Sequence, residues 1–237
     1  MAHYLNPKNA MTLQQVFLEH KHLSMSLINS MLSLEKPIVN IEYQTGQLIP
    51  ELRDVLRNRI MEASCSDADG HQFIVVMQMF WNMVYKMNVS FKEAKVYMKQ
   101  LYNTGDFKLP KPVYVLNFVD EKFDDSHQFY NYYKTVINYH TERLIEDFEY
   151  LFIELPKFNP STLSKGRYGL LQELWLRFLN EIDENTKEAP KELLENHDIR
   201  EALSYLEKNK YSNQQLDTYL QFKIDIWTES AMLRTQS

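Results

Sequence analysis

Two periods govern the apolar positions of this chain, and the places where one gives way to the other mark its elements. From Met11 to Leu34 the spacing is helical: Leu27, Ile28, Met31 and Leu32 form one stripe. Ser24 is placed as an N-cap there, and His20-Lys21-His22 as a break between two helices. Ser33 to Pro37 reads as a turn, Ile38 to Tyr43 as an alternating strand and Gln44 to Glu51 as a loop. From about Asn58 to Phe80, two β-prone runs flank Asp67-Ala68-Asp69-Gly70, a strong hairpin turn signal. Strand side chains alternate between faces. Gln72, Ile74, Val76 and Gln78 therefore share one face, and Phe73, Val75, Met77 and Met79 the other. Both faces are mainly apolar toward the end of that run, which predicts a strand inside a sheet covered by helices on both sides. In the first run Glu62 stands in mid-strand, where a carboxylate is costly unless paired, hydrogen-bonded or bound to a metal. Glu62 and Gln78 are thus the first candidates for chemistry.

The remaining pattern adds a crossover and a helical tail. Val89 to Tyr102 carries a helical stripe of Val89, Ala94, Val96, Tyr97 and Leu101, ended by Gly105. Val113 to Phe118 is a strand bounded by Pro112 and Asp120. Strand, helix, strand is the pattern of a partly parallel sheet. Phe123 to His140, rich in Tyr and Phe, reads as a hairpin or irregular cover, and Glu149 to Glu154 as a last strand stopped by Pro156. After Pro160 the pattern is helical throughout. Leu170, Leu171, Leu174, Phe178, Leu179 and Ile182 make one face, and Ile199, Ala202, Leu203 and Leu206 a second. Ser212-Asn213-Gln214-Gln215 is a capping box opening a third helix with Leu216, Tyr219, Leu220 and Trp227. The expected division is a sheet domain over 1–160 and a helical region over 161–237.

Composition narrows the chemistry. An apolar content of 44% with 13% aromatics is ample core material for a chain of 237 residues and argues against disorder. With 5 glycines and no Gly-rich loop, Walker and dinucleotide motifs are excluded. A net charge of −6 counts against strong non-specific DNA binding, which usually goes with a basic balance; a local basic groove stays open. The single cysteine, Cys65, excludes a disulfide framework and reads as a buried, inert thiol. The seven histidines lack zinc-site spacing. The first residues, Met1-Ala2-His3-Tyr4-Leu5-Asn6-Pro7, do not form a signal peptide. No apolar run approaches the ~20 residues a bilayer span needs. The expectation is a soluble, cytoplasmic protein without a membrane partner.

Four stretches in order carry a family resemblance. They are Cys65-Ser66-Asp67-Ala68-Asp69-Gly70-His71-Gln72-Phe73-Ile74-Val75-Val76-Met77-Gln78-Met79, Lys95-Val96-Tyr97-Met98-Lys99-Gln100-Leu101, Lys111-Pro112-Val113-Tyr114-Val115-Leu116-Asn117 and Phe152-Ile153-Glu154-Leu155-Pro156-Lys157-Phe158. From about Met11 to its end, the chain resembles the Rpn-like PD-(D/E)XK nuclease family transposases, also called recombination-promoting nucleases. The resemblance implies an α/β fold: a restriction-endonuclease-like core with a central mixed sheet flanked by helices, followed by a C-terminal helical region. It also implies Mg²⁺-dependent cleavage of DNA phosphodiesters linked to recombination. Such a nuclease must hold the metal with oxygen ligands, place a water in line with phosphorus and neutralise charge as the ester breaks. The family sets one acid on the first hairpin strand, and a second acid with a Lys or Gln two residues later on the next. Period two keeps that last pair on one face.

Carried over residue by residue, the first acid falls on Glu62 and the final amide on Gln78, the two catalytic candidates, with Glu62 also a metal ligand. The second acid falls on Val76, which cannot ligate a metal, so the resemblance implies impaired catalysis in this copy. An Arg common after the hairpin falls near Asn88. The family's N-terminal Phe-Lys-x-x-Phe is only partly present in Leu13-Gln14-Gln15-Val16-Phe17. Glu93, on the helix after the hairpin, is the candidate replacement metal ligand, and Lys95 and Lys99 are candidate DNA contacts. Plainer readings stand beside these. Glu62 serves equally as a strand residue at a wet edge, Gln78 as a satisfied core amide, and the lysines as a solvated helix face. In that case the protein is an inactive relative acting as a DNA-binding or protein-interaction module, and its acidic balance makes a protein partner as natural as DNA.

Overall fold

The hairpin forms where its turn chemistry places it. Strands β2 (Ile60–Asp67) and β3 (Gln72–Phe80) run antiparallel. Between them Gly70 adopts φ +80°, a conformation that favours glycine. Asp67 Oδ1 accepts the backbone N–H groups of Asp69 and His71, both at 2.9 Å, which closes the turn from below. This computed structural model describes residues 4–43, 60–80, 111–122, 125, 130–138, 143–160 and 169–234. They divide into two compact units: 34–43 with 60–157, and 4–33 with 158–234.

The first unit is a mixed sheet. Besides the hairpin it contains β1 (Ile38–Tyr43), β4 (Val113–Val119), β5 (Tyr130–Asn138) and β6 (Arg143–Glu154), in the order β1-β2-β3-β4-β6-β5. β3, β4 and β6 are parallel; β1 pairs antiparallel with β2, and β5 with β6. The strand expected over Glu149 to Glu154 is the second half of the longer β6. The Tyr-rich segment expected as a hairpin or irregular cover contributes β5 at the sheet edge. Its register shifts twice against β6, which explains why clean alternation is missing from its sequence. The helix expected over Val89 to Tyr102 lies outside the described residues.

The second unit is helical. It holds α1 (Ala10–Leu13) running into a π turn over Gln14–Leu18, α2 (Lys21–Met31), α3 (Gly169–Glu181), α4 (Lys191–Glu195), α5 (His197–Tyr205) and α6 (Asn213–Arg234). The expected break falls at His20, but Ser24 is not an N-cap. It lies buried inside α2, where its hydroxyl donates to Phe17 O at 2.7 Å. Phe17 packs on Trp175 with ring centroids 5.6 Å apart, Trp175 Nε1 donates to Ser26 Oγ at 3.2 Å, and His20 stacks on Tyr205. The N-terminal helices thus belong with the C-terminal ones, and a cut into 1–160 and 161–237 separates partners that pack together. An apolar stripe says that a face is covered, not by which distant segment.

The faces of the tail helices follow the pattern unevenly. Ile199, Ala202, Leu203 and Leu206 are all buried. On α3, Leu170 is 67% exposed while Trp175 and Leu176 fill the core. The capping box is closed both ways: Ser212 N donates to Gln215 Oε1 at 2.9 Å, and Gln215 N to Ser212 Oγ at 3.3 Å. On α6 only Tyr219 of the expected stripe is fully buried; Leu220 and Trp227 are 54% and 74% exposed. Among the described residues no helix is long and apolar enough to cross a membrane.

Candidate functional site

The strand registers assign every central residue to a face. Glu62 pairs with Val76 across the hairpin, and Ile60 with Gln78. In the parallel part, Ile74, Val76 and Gln78 stand beside Val113, Val115 and Asn117, and these beside Phe148, Tyr150 and Phe152. Directly paired residues share a face and alternation carries it along each strand. Positions 62, 76, 78, 117 and 154 therefore lie on one face.

That face changes character along the strands. Ile74, Val76, Val113 and Val115 form a buried apolar cluster with Tyr150 against it. Toward the carboxyl ends of β3, β4 and β6 the polar positions appear: Gln78, then Asn117, then Glu154. Glu62 rises on β2 next to that end and is half-buried, as are Ser64 and Ser66 on its own strand. Open α/β sheets bind ligands at the carboxyl ends of their parallel strands, so this end of this face is the natural place for a site.

Val76 is 2% exposed and belongs to the apolar cluster. Its side chain offers no lone pair, and its neighbours Ile74, Val113 and Val115 offer none either. Glu149, a half-buried carboxylate on β6, stands beside Tyr114 on the opposite face, and burial pushes its carboxyl up. Glu42 is exposed on β1, opposite Ser64 and diagonal to Glu62. Among the described residues no group of three His, Cys, Asp or Glu side chains could hold a metal ion. Mg²⁺ usually takes one or two carboxylates with waters and phosphate oxygens. Val76, paired with Glu62 across the hairpin, supplies no such oxygen. Glu93, Lys95 and Lys99 lie outside the described residues.

Two features of the face were missed by spacing alone. Asn117 is completely buried in β4, donating from Nδ2 to Leu151 O at 3.1 Å. Its signal in the sequence is a lone amide inside the apolar run Val113 to Val119. Glu154 and Lys157 form an ion pair at 2.8 Å with side chains 0% and 4% exposed. The segment that reads as a strand stop is therefore also a buried charge pair, made as the chain leaves β6 through the 3₁₀ turn Leu155–Lys157. Cys65 is buried on the other face, and burial pushes its thiol up to about 12. It matches the inert thiol expected from its place in a strand. A cavity of about 440 Å³ lies in the helical unit, lined by Tyr4, Glu184, Asp217, Tyr219 and Lys223 among others, and contains none of the candidate residues.

No curated protein and no solved structure gives a significant match to this chain. A family model does: that of the PD-(D/E)XK nuclease family transposase matches residues 17–235. The mixed sheet with a central hairpin agrees with the nuclease-like fold that this family implies. Since the match takes in nearly the whole length, with residues of both compact units, the chain belongs to the PD-(D/E)XK nuclease family transposases.

Proposed function

We propose that this protein is a DNA-endonuclease-like member of its family whose phosphodiester cleavage, Mg²⁺-dependent and linked to recombination, is impaired. The observation that carries the reading is the burial of Val76 in an apolar cluster on the face it shares with positions 62 and 78. Glu62 keeps the place of the first acid, and Gln78 the place of the amide. With a valine between them, the carboxylates that would neutralise a cation and the developing phosphate charge fall short. Substrate is DNA, and the contacts to its phosphates are assigned to Lys95 and Lys99. Glu93 remains the candidate to supply a second carboxylate.

The same buried valine favours a second reading, in which cleavage is lost and the protein acts as a DNA-binding or protein-interaction module. Incubation of supercoiled plasmid with purified protein and Mg²⁺ or Mn²⁺, beside Glu62→Ala and Glu93→Ala variants, separates the two. Slow, cation-dependent nicking that disappears in Glu62→Ala supports the impaired nuclease. Nicking that survives in Glu62→Ala overturns the assigned site. A mobility shift of the plasmid without any nicking supports the second reading.

A further inference from the structure

Helix α6 is apolar on two opposite sides, and the described residues cover only one of them. Tyr219 is buried on that side, and Phe222 and Ile226 beside it are half-buried. On the other side Leu220, Ile224 and Trp227 follow one another at i, i+4 and i+7, all more than half exposed. A helix apolar all round is one that is covered all round. The uncovered side also carries a hollow. The cavity of about 440 Å³ is lined along α6 by Leu216, Asp217, Leu220 and Lys223, with Tyr4 and Glu184 completing it. Trp227 lies seven residues beyond Leu220, which is about 10 Å along the helix axis and about 20° off the same line. One side of one helix thus carries both a projecting indole and a hollow able to take it.

We propose that α6 is a self-association surface: two copies of this chain pair their α6 helices antiparallel about a two-fold axis near Ile224, and each inserts Trp227 into the other's hollow. Leu220 and Trp227 lie on either side of that axis at similar distances, so a single rotation puts each knob in a hollow, as an isologous contact requires. Ile224 then meets its own counterpart at the centre. The chemistry of the hollow suits the guest. The indole body meets Leu216 and Leu220, and its N–H has an acceptor in the exposed carboxylate of Asp217. Lys223, beside the axis, is held to Glu184 at 2.7 Å, so the two lysines approach as neutralised pairs. Leu220, Ile224 and Trp227 offer roughly 400 Å² per copy, and the neighbouring Gln221 and Thr228 bring the pair toward the about 1,000 Å² that a specific interface needs. A small molecule in the hollow would leave Ile224 and Trp227 uncovered, which favours a second helix as the occupant.

Sedimentation velocity of the full chain from about 1 to 100 µM tests this, with the folding of each variant verified by circular dichroism. The wild type is expected to reach twice the mass of one chain within that range. Trp227→Ser, which removes the knob, and Leu220→Arg, which fills the hollow with a charged side chain, should each weaken association about tenfold or more. Both positions are more than half exposed, so neither substitution disturbs the core. Mixing the two variants leaves one knob facing one intact hollow, and the mixed pair should associate more tightly than either variant alone. A wild type that stays monomeric to about 100 µM overturns the proposal. Association untouched by Trp227→Ser overturns it too, by placing the contact elsewhere. So does a mixture no tighter than its components, which marks an unspecific apolar strip. The inference uses no residue of the nuclease reading, which plasmid nicking tests separately.

Discussion

Replacing Lys157 by methionine tests whether the Glu154–Lys157 pair is as deeply buried as its exposure indicates. Methionine keeps most of the aliphatic stem of lysine and removes only the ammonium. The partners are 2.8 Å apart with side chains 4% and 0% exposed, so the carboxylate of Glu154 loses the Lys157 ammonium without gaining water. Breaking a buried pair from one side costs about 3–5 kcal/mol. At about 2–4 °C per kcal/mol for a chain of this size, Lys157→Met should lower Tm by roughly 6–20 °C. Removing both charges in Glu154→Leu/Lys157→Met should recover most of that loss, because well-packed apolar side chains replace buried ion pairs at little cost. Thermal and urea unfolding followed by circular dichroism measure all three proteins. A loss below about 1 kcal/mol in Lys157→Met, the range of exposed pairs, would refute the reasoning. So would a double variant no more stable than the single one.

The other predictions concern the hairpin. Cys65, its thiol raised to about 12 by burial, should resist a disulfide reagent at pH 8 and react only on unfolding; equal rates in the native and urea-unfolded protein would contradict this. His71 is held above its ordinary 6.5 by its hydrogen bond to Asp67, which is in turn held below its ordinary 3.8 by His71. A raised histidine stabilises the fold fully below 6.5 and loses that contribution as pH rises through its folded value. A depressed aspartate stabilises fully above 3.8 and loses it as pH falls through its folded value. The pair therefore contributes most between pH 3.8 and 6.5. An NMR titration of His71 should give a midpoint above 6.5 that returns toward it in Asp67→Asn, and an unchanged midpoint would count against the pair.

The hairpin was legible because its signals are local. A turn that requires Gly70 sits between runs of fixed period, so both strands were legible, with their register fixed only to about one residue; the pairing of Glu62 with Val76 comes from the structure. The helix face of Ile199, Ala202, Leu203 and Leu206 was legible for the same reason. What escaped was non-local. The pattern from Met11 to Leu34 did not announce Trp175 as the partner of Phe17 and Ser26, and Leu220 and Trp227 of α6 carry helical spacing without a buried face to match. The place of β6 beside β4 depends on pairings between distant stretches, such as Val113 with Phe148, and bulges in β5 hide its alternation. At the candidate site, Glu62 and Gln78 were assigned through the family pattern, and the register puts their positions on one face. Asn117 was not, because a polar residue in an apolar run gains meaning only when its neighbours in the sheet are known.

The decisive measurement is plasmid nicking by Val76→Glu, its folding verified by circular dichroism, beside the wild type in Mg²⁺ and Mn²⁺. Val76 faces Glu62 across the hairpin, so the substitution puts a second carboxylate opposite the first. A metal-organised charge stabilisation of several kcal/mol corresponds to about 10²-fold or more in rate. The expected result is nicking by Val76→Glu at least that much faster than by the wild type, and abolished when Glu62→Ala is added. A folded Val76→Glu protein that nicks no faster than the wild type would contradict the claim that the valine is what disables this site.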